Sequence, residues 1–121
     1  MFHAADDDGY RQVLPGVTLK TLVHGEKTLF AEFRLDEGSA LPKHAHPNEQ
    51  TGYLVRGRMR LVIGDDAFEV RPGDSWCIGS GIEHAAEALA DSVAIEVFSP
   101  VREDYLPSGR GHVSLEDTTD P

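Results

Sequence analysis

The sequence predicts an all-β domain, a small barrel or sandwich built from short strands. Turn residues are frequent, with 12 Gly and 7 Pro in 121 residues. The segments between them are rich in Val, Ile, Leu, Phe and Tyr, the residues that suit a pleated, half-buried surface. No stretch of a dozen residues carries a helical period.

Taken in chain order, eight strands are predicted: Val17 to Val23, Leu29 to Leu35, Gln50 to Val55, Met59 to Ile63, Ala67 to Val70, Ser75 to Ile78, His84 to Ala88 and Ser92 to Ser99. Gly25-Glu26-Lys27 and Gly64-Asp65-Asp66 stand between pairs of them as hairpin turns. Arg102 to Leu106 hints at a single helical turn. Residues 1–12 are polar and read as a flexible arm, although Val13 and Leu14 have the character to join a core or a partner subunit. Residues 13–106 form one domain, and 107–121 an acidic tail expected to be disordered.

Charge and composition narrow the partners. Lys and Arg number 11 against 21 Asp and Glu, a net charge of −10 that disfavours nucleic acid and anionic membranes. Cys77 is the single cysteine, so no internal disulfide is possible and a reducing compartment fits. No apolar run approaches the roughly 20 residues of a membrane helix, and the start lacks the pattern of a signal peptide. A soluble, cytoplasmic domain acting on a small molecule is expected.

The last strand is apolar on both faces. Val93, Ile95 and Val97 share one face, and Ala94, Glu96 and Phe98 the other. Water cannot be the neighbour on both sides, so a second sheet or a second subunit must cover the outer one. The short chain favours a homodimer. Glu96 becomes the one carboxylate in an apolar strand, serving either a salt bridge, for example to Arg102, or a site.

His44-Ala45-His46 places two imidazoles on one face of an extended segment, and neutral imidazole is the commonest ligand for first-row divalent metals. Gly38 lies six residues before His44, Gln50 four after His46 and Gly57 seven after Gln50. Downstream stand Gly73, Gly79, Gly81 and His84. With these residues the sequence resembles the cupin superfamily, whose first motif, G-x5-H-x-H-x3,4-E-x6-G, is met with Gln50 in the Glu place. The second motif is met by Gly73, Gly81 and His84, with Gly79 where Pro is usual and Ala88 where Asn is usual. The spacer, Arg58 to Pro72, is 15 residues long, as in compact microbial cupins. The resemblance implies a double-stranded β-helix, or jelly-roll barrel. It also implies one divalent transition metal (Mn, Fe, Ni or Zn) held by His44, His46, Gln50 and His84. Glu49 would replace Gln50 only if a bulge shifted the register.

A narrower resemblance concerns His44-Ala45-His46-Pro47-Asn48-Glu49-Gln50 and the segment Glu96 to Leu106, which look like the small cupins of pectin degradation. Those enzymes open the ring of 4,5-unsaturated uronates. The resemblance implies that Glu96, Phe98 and Arg102 line the substrate pocket, with Glu96 where Asp is usual. Glu96 would act as proton donor, Arg102 would pair with the substrate carboxylate and Phe98 would shape the apolar wall. Tyr53 is a further candidate beside the metal, with core packing as its other role. Alternatives are an iron-dependent dioxygenase, a metal-dependent lyase or cyclase, and a non-catalytic binding module. His24 is expected to be exposed, His3 and His112 to belong to the ends, and Cys77 to be buried packing.

Overall fold

Strand alternation builds the architecture. In the run Leu29-Phe30-Ala31-Glu32-Phe33-Arg34-Leu35, residues 29, 31, 33 and 35 are buried and those between them are not. A computed structural model describes residues 1–106 of the chain; residues 107–121, with the expected acidic tail and His112, lie outside the described residues. The described residues form ten strands: β1 (Arg11–Leu14), β2 (Val17–His24), β3 (Leu29–Leu35), β4 (Ala40–His44), β5 (Glu49–Arg56), β6 (Met59–Ile63), β7 (Asp66–Val70), β8 (Ser75–Ile78), β9 (His84–Ala88) and β10 (Ser92–Ser99). A single 3₁₀ turn follows at Glu103–Tyr105.

All strand pairs are antiparallel, in a six-stranded sheet ordered β1-β2-β3-β10-β5-β8 and a four-stranded sheet ordered β4-β9-β6-β7. The core joins Leu19, Leu29, Phe33, Leu35, Leu54 and Phe98 of the larger sheet to Met59, Leu61, Val70, Ala86 and Ala88 of the smaller. Among the described residues no helix is long and apolar enough to cross a membrane.

All eight predicted strands are present, with bounds within one residue. Two strands escaped prediction, and both are sheet edges. β4 contains Pro42, which only an edge tolerates because proline cannot donate to a ladder. β1 begins at Arg11, inside the segment expected to be a flexible arm, and pairs with β2. The arm is also tied to the sheet farther back: the Lys20 ammonium, buried on β2, meets the Asp6 carboxylate at 2.7 Å. The Tyr10 hydroxyl donates to Glu32.

Two further expectations are corrected here. Cys77 is exposed rather than packed inside, because β8 turns Ile78 inward and its neighbour therefore faces out. His24 is half-buried rather than exposed. On β10, Ala94, Glu96 and Phe98 point inward as expected, and Ile95 and Val97 are half-buried on the outer side. Tyr53 and Val55, on the neighbouring β5, stay 45% and 47% exposed.

Segment 100–106, which follows β10, reaches back to β2 and to the loop after β4. Asn48 Nδ2 donates to the Pro100 carbonyl at 2.6 Å, and the Thr21 hydroxyl donates to the Tyr105 carbonyl. The Tyr105 ring, 1% exposed, packs edge-on to Phe98 and Phe33 at centroid distances of 5.3 and 6.1 Å.

Gly57, of the first motif, has φ +100°, and a Cβ there would stand 2.2 Å from Ser92 Oγ and 2.5 Å from the Asp91 carbonyl. Gly64 has φ +60° with open space around it. Gly64→Ala should therefore cost about 1 kcal/mol of stability from backbone conformation alone. Gly57→Ala should cost more, about 2–4 kcal/mol, because overlap adds to strain. Urea denaturation of the two variants beside the wild type checks the order.

Candidate metal centre

Three strand ends bring the histidines together. β4 ends at His44, the following loop carries His46, and β9 begins at His84, the register partner of His44. One ligand atom from each ring lies within 4.8 Å of the others, and all three residues are buried. The ring centroids are 4.2 Å apart for His44 and His84, 5.0 Å for His46 and His84, and 5.7 Å for His44 and His46.

Backbone carbonyls set the tautomers. Nδ1–H of His44 donates to the Pro42 carbonyl at 2.7 Å, that of His46 to Asn48 at 2.9 Å and that of His84 to Ile82 at 2.9 Å. Each ring therefore carries its proton on Nδ1 and a lone pair on Nε2, the arrangement that metal-binding histidines use. His84 Nε2 is buried with no hydrogen-bond partner among the described residues. His46 Nε2 faces Gln50 Oε1 at 2.7 Å, a contact between two lone-pair atoms. An orphaned nitrogen and a paired set of acceptors are what a cation would satisfy, so the residues present fit a divalent metal.

Gln50 is 5% exposed and points inward, whereas Glu49 is exposed and meets Cys77 Sγ at 3.4 Å. No bulge exchanges them. The Gln50 amide nitrogen donates to Glu96 Oε1 at 2.5 Å, and Trp76 Nε1–H donates to the same oxygen at 3.2 Å. Glu96 thus makes no salt bridge with Arg102. The Arg102 guanidinium instead holds Asp104 through Nε and Nη2, at 3.1 and 2.7 Å, and donates from Nη1 to the Tyr105 hydroxyl. It lies 4.1 Å from the Tyr105 ring centroid and 5.5 Å from that of Phe98.

Burial governs the charges. It lowers all three imidazoles, bringing His46 and His84 to about 4, with the charge of Arg102 assisting at His46. Burial pushes the Glu96 carboxyl up to about 7, against the opposing pull of its two donors and of Arg102. The site therefore combines neutral imidazole nitrogens, placed to bind a metal, with a carboxyl able to hold a proton near neutrality.

A cavity of about 30 Å³ is lined by His44, His84, Gln50, Trp76, Glu96 and Arg102, among others. Of the residues singled out from sequence, the structure brings together His44, His46, Gln50, His84, Glu96, Phe98 and Arg102. Tyr53 is corrected: Gln50, Gly52 and Leu54 face in, so the period of two turns Tyr53 outward, where it neither packs in the core nor reaches the histidines. Trp76, Asn48, Asp104 and Tyr105 were missed. The inward parity shared with Ile78 was the available signal for Trp76.

Residues 31–99 match the family described as Cupin domain. The chain belongs to the cupin family. The solved structure of KdgF from a Halomonas species superposes on this cupin with a TM-score of 0.83 at 30% identity, covering 88% of this chain and 100% of that one. An RmlC-like cupin from Shewanella frigidimarina superposes equally well, with a TM-score of 0.83 at 21% identity over 88% and 96% of the two chains, a likeness of fold. The pectin degradation protein KdgF of Dickeya dadantii is 23% identical over 103 residues, 84% of this chain and 94% of that protein. Oxalate decarboxylase OxdC of Bacillus subtilis is 30% identical over 80 residues, which are 62% of this cupin but 21% of that longer protein. The chain thus spans about a fifth of the decarboxylase and nearly the whole of KdgF.

Metal ligation requires neutral imidazole, and burial has already removed the competing protons. Co²⁺ affinity should therefore fall far less between pH 7.5 and 5.5 than it would for three ordinary imidazoles. Three histidines of ordinary pKa would lose about a thousandfold over the same two units. Isothermal titration across that range separates the two behaviours.

Proposed function

We propose that this cupin is a metal-dependent enzyme that hydrates and opens the ring of a 4,5-unsaturated uronate. The observation that carries the reading is the buried Glu96 carboxyl, hydrogen-bonded to Gln50 on the wall of a cavity that His44 and His84 also line. The likeness to proteins named KdgF over nearly their whole length supports it. His44, His46, His84 and Gln50 would hold the ion. When bound, a divalent metal in such a site supplies a Lewis acid that binds a substrate carboxylate or hydroxyl and acidifies water.

The chain's own residues account for the proton. Two donors converge on Glu96 Oε1, which leaves that oxygen no room for a proton, so the acid carries it on Oε2. Oε2 delivers it to C4 of the enol ether, water adds its oxygen to C5, and the proton that water releases returns to Glu96. The net change is addition of one water; the resulting hemiketal opens to a ketone. Asp104 and Tyr105 engage three of the five Arg102 N–H groups, which locks the guanidinium plane and leaves N–H donors for a substrate carboxylate. Phe98 forms the apolar wall. A cavity of about 30 Å³ accommodates water but no sugar ring, so the reading requires segment 100–106, with Arg102 and Tyr105, to swing outward for substrate entry.

Glu96→Gln should lower kcat/KM on unsaturated uronates by about a hundredfold or more while leaving the fold intact. Ultraviolet absorbance of the C4–C5 double bond follows the reaction. Full activity in that variant would remove Glu96 from the mechanism. Oxygen consumption by the iron-loaded protein, with no loss of uronate absorbance, would replace the reading by a dioxygenase.

We propose also that a second copy of the chain covers the outer face where Tyr53 and Val55 lie exposed beside Ile95 and Val97. Sedimentation velocity should then show a dimer for the wild type and a monomer for Tyr53→Glu/Val55→Glu. A monomeric wild type would discard the dimer.

A further inference from the structure

The Gln50 amide has two orientations that fill one space with opposite chemistry. As it stands, Nε2 donates to Glu96 Oε1 and Oε1 faces His46 Nε2. Turned over, Nε2–H would donate to His46 Nε2 and consume the lone pair that a metal needs. The turned amide would close the site without moving any other atom, and it would relieve the contact between two acceptors. Something outside the ligand set must oppose it.

The opposing group is an acceptor that stays an acceptor. Turning the amide would press its oxygen against Glu96 Oε1. Trp76 Nε1–H, at 3.2 Å from that same oxygen, keeps a proton off it and so denies the turned amide a donor there. Trp76 reaches Glu96 across the sheet surface, over Gly52. Trp76, Gly52 and Glu96 are register partners across β8, β5 and β10. The indole lies over Gly52 so closely that a Cβ would stand 2.2 Å from its Cε2 and 2.3 Å from its Nε1. Any side chain at position 52 would push the indole away from Glu96.

We propose that Trp76, seated on Gly52, and Glu96 together hold the Gln50 amide with its oxygen toward the histidines, and thereby set the site's affinity for a divalent cation. Trp76 and Gly52 are positioning residues that act through Glu96 on Gln50. The inference rests on the reading of the three histidines and Gln50 as metal ligands and on no particular substrate.

The test is Co²⁺ titration with chelator competition, read from the visible absorption of the bound ion, on the full chain. Glu96→Leu and Trp76→Phe should each weaken binding by about ten- to a hundredfold, the range found for groups that orient metal ligands. Glu96→Gln, whose amide oxygen can accept from both donors, should bind as the wild type does even though turnover is lost. In a Gln50→Leu background, Trp76→Phe should produce no further loss, a coupling that general loosening of the fold would not produce. Trp76→Phe retains an aromatic ring in the cavity wall, so it decides the matter even where Glu96→Leu folds poorly. Wild-type affinity in Trp76→Phe, or an equal loss with and without Gln50, would overturn the inference while leaving the metal site standing. A wild-type protein that takes up no Co²⁺ would overturn both.

Discussion

The structure depends on imidazole lone pairs held in the interior with no hydrogen-bond donor to meet them. His84 Nε2 has no partner, and His46 Nε2 faces another acceptor, among the described residues. A buried polar atom without a partner costs about 1–3 kcal/mol. The barrel carries that cost through its framework: backbone carbonyls at Pro42, Asn48 and Ile82 hold the Nδ1 protons, so the rings cannot turn to relieve the strain. Two packed sheets hold those carbonyls in place. The three rings are thereby positioned to bind a metal.

The second feature is where the negative charge sits. A cupin usually brings a carboxylate into the ligand set itself; here position 50 is an amide, and the carboxyl stands one hydrogen bond farther out at Glu96. In the proposed reaction this displacement would separate two tasks that one carboxylate would otherwise share. Gln50 faces the histidines, while Glu96 would use one oxygen to orient the amide and the other to transfer a proton. Burial raises the Glu96 pKa toward neutrality, a shift that a carboxylate bound directly to a metal would not show. The arrangement needs Gly52, because only a residue without a side chain lets the Trp76 indole cross the sheet surface to Glu96.

Segment 100–106 carries Arg102 and Tyr105, which lie against Phe98 on one side of the cavity. Its hydrogen bonds reach distant parts of the chain, Asn48 to Pro100, Thr21 to Tyr105, and Arg11 to the Asp104 carbonyl at 3.4 Å. Tyr105 itself is buried in the core with Val101 and Leu106 packed against it. The Asp104–Arg102 pair holds the planar guanidinium against the aromatic rings.

Much of this was legible in the chain itself. Turn residues and strand-forming runs located eight strands, and a period of two put His44 and His46 on one face and Ala94, Glu96 and Phe98 on another. The motif spacing chose Gln50 over Glu49. The same parity argument, carried from Gln50 through Leu54, would have turned Tyr53 outward, and carried back from Ile78 would have exposed Cys77 and drawn Trp76 inward. Edge strands β1 and β4 were illegible because an edge needs few ladder bonds and so tolerates Pro42, Lys43 and Arg11. What only the tertiary structure decided is which partner each buried polar group takes: Glu96 with Gln50 and Trp76, Arg102 with Asp104, and His84 with none. Sequence determines periodicity, because facing is a local property of the backbone. Partner choice depends on distances between strands far apart in the chain, and those exist only once the two sheets have closed.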